Sequence, residues 1–171
     1  MSITLITGPM FSGKSEYLIN EYLEKSKELE ILCINYIDDN RYSNEEYLSS
    51  HNGKKIKCKK VKELNDIKNI EKYKYIIIDE GQFFKDLFDF CLLYKKKGIT
   101  IIIGILSSTY KMTLFEQFKK ILLISDTIIK LKSICYKCKD AADYTKKISG
   151  KDCEIEIGND IYKPCCYNCF Y

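Results

Sequence analysis

Four apolar runs are spaced along the chain: ITLIT at 3 to 7, ILCINY at 31 to 36, KYIIIDE at 74 to 80 and GITIIIGIL at 98 to 106. Each is nearly continuous and rich in isoleucine, the pattern of strands in a parallel sheet covered on both faces. Stretches of helical period lie between them. EYLINEYLEKSKEL, which follows Ser15, carries Tyr17, Leu18, Tyr22, Leu23 and Leu29 near helical spacing. FKDLFDFCLLYKKKG, 84 to 98, closes on lysines and a glycine, as helix ends often do. TLFEQFKKILLISDTIIKLK predicts a short helix and then a last strand near 127 to 132. This alternation is that of an α/β, doubly wound fold.

The first run ends in GPMFSGKS, residues 8 to 15. Gly8, Gly13, Lys14 and Ser15 fit G-x-x-x-x-G-K-[ST], in which backbone N–H groups surround phosphate oxygens and the next helix points its positive end at them. Gly8 and Gly13 permit turns and close approach, Lys14 neutralises the β- and γ-phosphates, and the Ser15 hydroxyl is placed to ligate magnesium. The strand at 74 to 80 ends in Asp79 and Glu80. An apolar strand ending in an acid is where a P-loop fold keeps its second magnesium-organising carboxylate, which suits Asp79. Glu80 then points elsewhere, and chemistry alone allows two readings: a base accepting a proton from an acceptor hydroxyl, or a solvated strand end. DDNRYSNEEYLSSHNG, 38 to 53, is polar and carries turn formers, so it reads as a loop near the nucleotide. KKIKCKKVK, 54 to 62, partly alternates and reads as a half-exposed strand; without interleaved aromatics it makes a poor nucleic-acid patch.

From Cys135 the character changes. CYKC at 135 to 138 and CYNC at 166 to 169 form two Cys-x-x-Cys pairs. Cys135, Cys138, Cys166 and Cys169 suit a tetrahedral four-thiolate zinc site, with buried or redox cysteines as the alternative. Cys165 also adjoins the pair, but the spacing favours Cys166. Cys33, Cys58, Cys91 and Cys153 read as small apolar fillers or outsiders.

With 171 residues, 46% of them apolar, the chain is long enough for one well-buried core and a small appendage. A net charge of +4 permits a nucleic-acid partner without demanding one. The longest apolar runs fall well short of the ~20 residues that span a bilayer, and no basic segment leads into a signal-like stretch, so a cytosolic location is expected. The odd number of cysteines, nine, agrees with a reducing compartment.

GPMFSGKS, DEGQFF at 79 to 84, CYKC followed by AADYTKK, and IGNDIYKPCCYNC near the end together resemble the type II thymidine kinase family, the cytosolic kind also found in bacteria and large DNA viruses. NRYS at 40 to 43 resembles that family's arginine-bearing loop. The chain ends two residues past the last cysteine and resembles the short viral or bacterial form, without the regulatory tail of the vertebrate enzymes. The resemblance implies a P-loop α/β kinase domain over 1 to 132, its parallel sheet flanked by helices, and a zinc-binding lasso domain over 133 to 171. It implies transfer of the γ-phosphoryl group of ATP to the 5′-hydroxyl of thymidine, with Mg2+ and structural Zn2+. A homotetramer, feedback inhibition by thymidine triphosphate and a cytoplasmic location, the host's if the protein is viral, come with it.

By the same resemblance Glu80 would be the base and Arg41 would stabilise charge on the transferring group. Gly8, Pro9, Met10, Phe11, Ser12, Gly13, Lys14 and Ser15, with Asp79 and Gln82, would surround the phosphates, Asp79 supporting magnesium through water and Gln82 orienting nearby groups. Met10, Leu106, Tyr110, Phe115, Thr145 and Tyr162 would line the nucleoside pocket, Tyr110 stacking on the base and Thr145 near its 5-methyl group. One departure bears on selectivity: LSSTY at 106 to 110 replaces the family's usual L-D-G-T-F, putting Ser107 and Ser108 where an acid and a glycine are common. A pyrimidine deoxynucleoside kinase of shifted preference, or a zinc-bearing P-loop binding protein, are the alternatives.

Overall fold

A computed structural model describes residues 1 to 37, 46 to 50, 52 to 150 and 161 to 171. Six strands form the central sheet: β1 (Ile3–Thr7), β2 (Ile31–Tyr36), β5 (Lys59–Val61), β6 (Tyr75–Ile78), β7 (Thr100–Ile105) and β8 (Thr127–Lys130). Their order is β5-β2-β6-β7-β1-β8, with every pairing parallel. The isoleucine runs are continuous because both faces are buried. Ile76, Ile78, Ile101, Ile103 and Ile105 point to one core, which holds Leu87 and Phe90 of α2 (Leu87–Lys96) and Phe118 and Ile121 of α3 (Glu116–Ile124). Ile77 and Ile102 point to the other, against Leu18 and Ile19 of α1 (Lys14–Lys25). A twofold side-chain period thus divides each run between two hydrophobic layers.

Three local expectations are corrected. α1 ends at Lys25, leaving Leu29 beyond it, and Leu23 is 46% exposed; the buried stripe is Leu18 and Ile19, with Tyr22 packed beside it. The stretch 54 to 62 is two strands rather than one. β4 (Lys55–Lys57) pairs antiparallel with β3 (Tyr47–Ser49), whereas β5 joins the main sheet beside β2. Between them the Cys58 N–H donates to the Glu46 carbonyl at 2.9 Å. The third follows from this hairpin: the end of the expected 38-to-53 loop is strand, with Leu48 buried against the α1-side core, while residues 38 to 45 lie outside the described residues.

After β8 the chain builds two small antiparallel pairs, β9 (Ser133–Ile134) with β10 (Ala141–Ala142), and β11 (Tyr144–Lys147) with β12 (Tyr162–Cys165). A short helix, α4 (Tyr167–Phe170), ends the chain. These elements share a small core of Cys135, Ala142, Cys165 and Cys166. Among the described residues no helix is long and apolar enough to cross a membrane.

Candidate active site

The loop between β1 and α1 is shaped by its glycines. Gly13 stands at φ 84 immediately before α1, a left-handed conformation that costs a residue with a Cβ about 1 kcal/mol or more. A Cβ on Gly8 would lie 2.5 Å from the Leu131 carbonyl oxygen, so the loop can leave β1 there only without a side chain. Lys14 folds over the loop, its ammonium donating to the carbonyls of Pro9 at 2.8 Å and Gly8 at 3.2 Å. The Ser15 hydroxyl donates to Asp79 Oδ2 at 2.6 Å, bringing together the two groups expected at magnesium.

Asp79 and Glu80 leave the end of β6. The Asp79 N–H still donates to Ile34 of β2, which extends the sheet by one bond and fixes the carboxylate at its carboxyl edge. Glu80 then turns at φ 55, and its N–H donates to Asp79 Oδ1 at 2.9 Å. Gly104 makes the room behind, since a Cβ there would lie 2.7 Å from Asp79 Oδ1. Glu80 is only 8% exposed, which removes the solvated strand end as a reading of it. Gln82, expected beside the phosphates, has its amide engaged by Glu80 Oε2 and by the Leu106 N–H. Arg41 lies outside the described residues.

The nucleoside-pocket candidates divide among three segments, Met10 lying on the phosphate loop. Leu106, Tyr110 and Phe115 lie on the loop from β7 to α3, a tight hairpin closed by Thr109 N–H to Thr113 O at 2.9 Å and Phe115 N–H to Ser107 O at 3.1 Å. Backbone groups make these closures, so Ser107 and Ser108 hold the turn without the acid and glycine expected there. Phe115 also packs against the α2/α3-side core. Thr145 and Tyr162 come from β11 and β12. Two contacts join β11 and β12 to the other segments: the Tyr110 and Tyr162 ring centroids are 6.2 Å apart, and the Met10 N–H of the phosphate loop donates to Thr145 Oγ1 at 3.0 Å. Ser133 adds a third tie, its hydroxyl donating to the Phe11 carbonyl at 2.9 Å. Sequence reasoning missed Lys147, whose ammonium stands 5.1 Å over Tyr110 and 5.8 Å over Tyr162. Its pairing opposite Tyr162 is a cross-strand relation, and no one-dimensional pattern displays it.

In the C-terminal part the Sγ atoms of Cys135, Cys138, Cys166 and Cys169 all lie within 4.8 Å of one another. Zinc–sulfur bonds of about 2.3 Å in a tetrahedron put the sulfurs roughly 3.8 Å apart, so the four fit that ion. Burial alone would raise the Cys135 thiol, but backbone N–H groups of Cys138, Cys166 and Lys137 outweigh it and bring the thiol down to about 5, already favouring the thiolate a metal needs. Burial pushes the Cys165 thiol up to about 11, and Cys165 stays out of the foursome, as the spacing predicted. Lys146, also unforeseen, donates to the carbonyls of Cys169, at 3.3 Å, and Phe170 at the end of α4.

A profile of thymidine kinases matches residues 1 to 170. The thymidine kinase of Choristoneura fumiferana entomopoxvirus is 39% identical over 178 residues, covering 99% of this chain and 96% of its own. Those of Monkeypox virus and of Vaccinia virus (strain Western Reserve) are 35% and 34% identical over 172 residues, covering 98% of this chain and 96% of theirs. Full-length agreement of this kind spans the phosphate loop, the Asp79–Glu80 turn and the cysteine foursome together, and the chain belongs to the thymidine kinase family.

Proposed function

We infer that the protein transfers the γ-phosphoryl group of ATP to the 5′-hydroxyl of thymidine, giving thymidine monophosphate. One observation carries the chemical part of this reading: a buried carboxylate, Glu80, adjoins the Ser15–Asp79 pair at the edge of the sheet where the phosphate loop ends. The phosphate loop from Gly8 to Ser15 cradles the triphosphate with backbone N–H groups, and Lys14 exchanges its loop carbonyls for phosphate oxygens. Ser15 and Asp79 are the residues that would hold magnesium, whose charge, when bound, offsets that of the β- and γ-phosphates. Glu80 accepts the proton of the attacking hydroxyl, and Arg41 offsets charge on the group in transfer. Met10, Leu106, Tyr110, Phe115, Thr145 and Tyr162 enclose the base, a planar apolar ligand suited to an aromatic slot.

Cys135, Cys138, Cys166 and Cys169 would hold zinc, which cross-links residues 133 to 171 into a lasso domain beside the 1-to-132 kinase domain and takes no part in the reaction. Homotetramer formation, inhibition by thymidine triphosphate and action in the cytoplasm belong to the same reading and rest on the family resemblance. Replacing Glu80 with Gln tests the base. Turnover should fall by about 10²–10⁴-fold while ATP binding persists, and near-normal turnover would remove Glu80 from that role.

A further inference from the structure

Gln82 is 8% exposed and its amide is engaged at both ends. Oε1 accepts the Leu106 N–H at 3.0 Å, and Nε2 donates to Glu80 Oε2. The first bond sets the orientation of the second. Only the amide oxygen can accept from Leu106, so the nitrogen must face the carboxylate. The turn itself is pressed against β7, for a Cβ on Gly81 would come within 2.9 Å of Ile103 Cγ2. Glu80, at φ 55, holds a conformation that a residue with a side chain keeps only when its surroundings impose it.

We propose that Gln82 is a positioning residue for the base: it ties the Glu80 carboxylate to the end of β7 and fixes the direction in which its oxygens face. This deepens the reading of Glu80 as the base and rests on it. A carboxylate held by its neighbour loses the rotamers that face away from the substrate hydroxyl. Leu106 also opens the loop bearing Tyr110, so one amide connects the base to the segment expected to hold the nucleoside. Among the described residues, the charged groups around this turn are few. Asp79 takes the Glu80 N–H and the Ser15 hydroxyl, and Lys14 is directed at the Gly8 and Pro9 carbonyls. β7 brings no titratable side chain, and on α3 Glu116 pairs with Lys119 and Lys120 at the surface.

The test is the single-turnover rate and the KM for ATP, with thymidine and magnesium-ATP, for the unaltered protein, Gln82→Glu and Gln82→Met. Gln82→Glu keeps an acceptor for Leu106 but sets a second carboxyl against Glu80. Position 82 then offers Glu80 no amide donor, so the rate should fall. Gln82→Met keeps the length and loses the donor, so the rate should fall about tenfold to a hundredfold with KM for ATP unchanged. An unchanged rate in Gln82→Met, or a raised KM for ATP at an unchanged rate, overturns the proposal. Glu80→Gln, run alongside, separates the two assignments: its collapse with an unchanged rate in Gln82→Met refutes the positioning role alone, whereas its survival refutes the base. The exchange variant Glu80→Gln/Gln82→Glu restores the donor–acceptor pair in reverse. It should melt like the unaltered protein and turn over nothing, and recovered turnover would show that placement at position 80 does not matter.

Discussion

The Met10 N–H and Thr145 Oγ1 meet at 3.0 Å across 135 positions of sequence, so a backbone donor of the phosphate loop is satisfied by a side chain of β11. A threonine expected only to touch the base is therefore also a tie between the two halves of the site.

Thr145→Val, nearly isosteric, should leave that N–H unpaired at a cost of about 1–3 kcal/mol, while Thr145→Ser keeps the bond. On the proposed reading, in which the phosphate loop and β11 face the substrates, KM for thymidine should rise in the valine variant and recover in the serine one. Equal KM values in all three proteins, measured by initial rates, would detach Thr145 from the pocket.

Asp79 is bonded on both oxygens, to the Ser15 hydroxyl and the Glu80 N–H, and Gly104 gives it room. In Gly104→Ala the new methyl would stand 2.7 Å from Asp79 Oδ1 and 2.8 Å from Leu18 Cδ1. Such overpacking should cost about 1–3 kcal/mol in a urea melt. Since Asp79 can yield only by breaking one of its bonds, magnesium-dependent ATP binding should weaken as well. Titration calorimetry showing native affinity would mean that Leu18 alone absorbs the methyl.

Cys165 and Cys166 are adjacent, and only Cys166 joins the sulfur foursome. Zinc measured by mass spectrometry should remain at one ion per chain in Cys165→Ala and be lost in Cys166→Ser. Nucleoside binding should fall with the zinc, because Tyr162 and Thr145 lie on strands that this cluster cross-links. Zinc retained in Cys166→Ser would reassign the fourth ligand.

Asp143 connects the end of β8 to β11, with Lys130 at 2.9 Å and Lys132 at 3.2 Å. Its bond to Lys130 holds the carboxyl below the usual aspartate range, with Lys132 adding to the effect. A depressed folded value means that the stabilisation is complete above the unfolded pKa of about 3.9 and disappears as pH falls through the folded value. Asp143→Asn should therefore lower Tm at pH 7 and match the unaltered protein near pH 2. The gap should also shrink in high salt, the lysines being well exposed.

Four strands of the central sheet, β1, β2, β6 and β7, were legible because burial on both faces leaves a nearly unbroken apolar run, and β2 falls on ILCINY without adjustment. The stretch 54 to 62 was misread for a related reason. Ile56 in β4 and Cys58 between the two strands keep the alternation across the break, and alternation reports which face is buried, not which strand is the partner. Phosphate-loop and cysteine spacings were legible because their chemistry constrains neighbours in sequence. The contacts that join the site, from Gln82 to Leu106, Lys147 to Tyr110 and Ser133 to Phe11, bridge distant segments, and nothing in a local pattern fixes them.

The most direct measurement is a magnesium-ATP assay offering thymidine, deoxyuridine, deoxycytidine and deoxyadenosine in parallel, each product identified by mass. Thymidine monophosphate in large excess, with deoxyuridine a weaker substrate, is the predicted result. A different preferred nucleoside, or no product from zinc-replete protein that still binds ATP, would contradict the account.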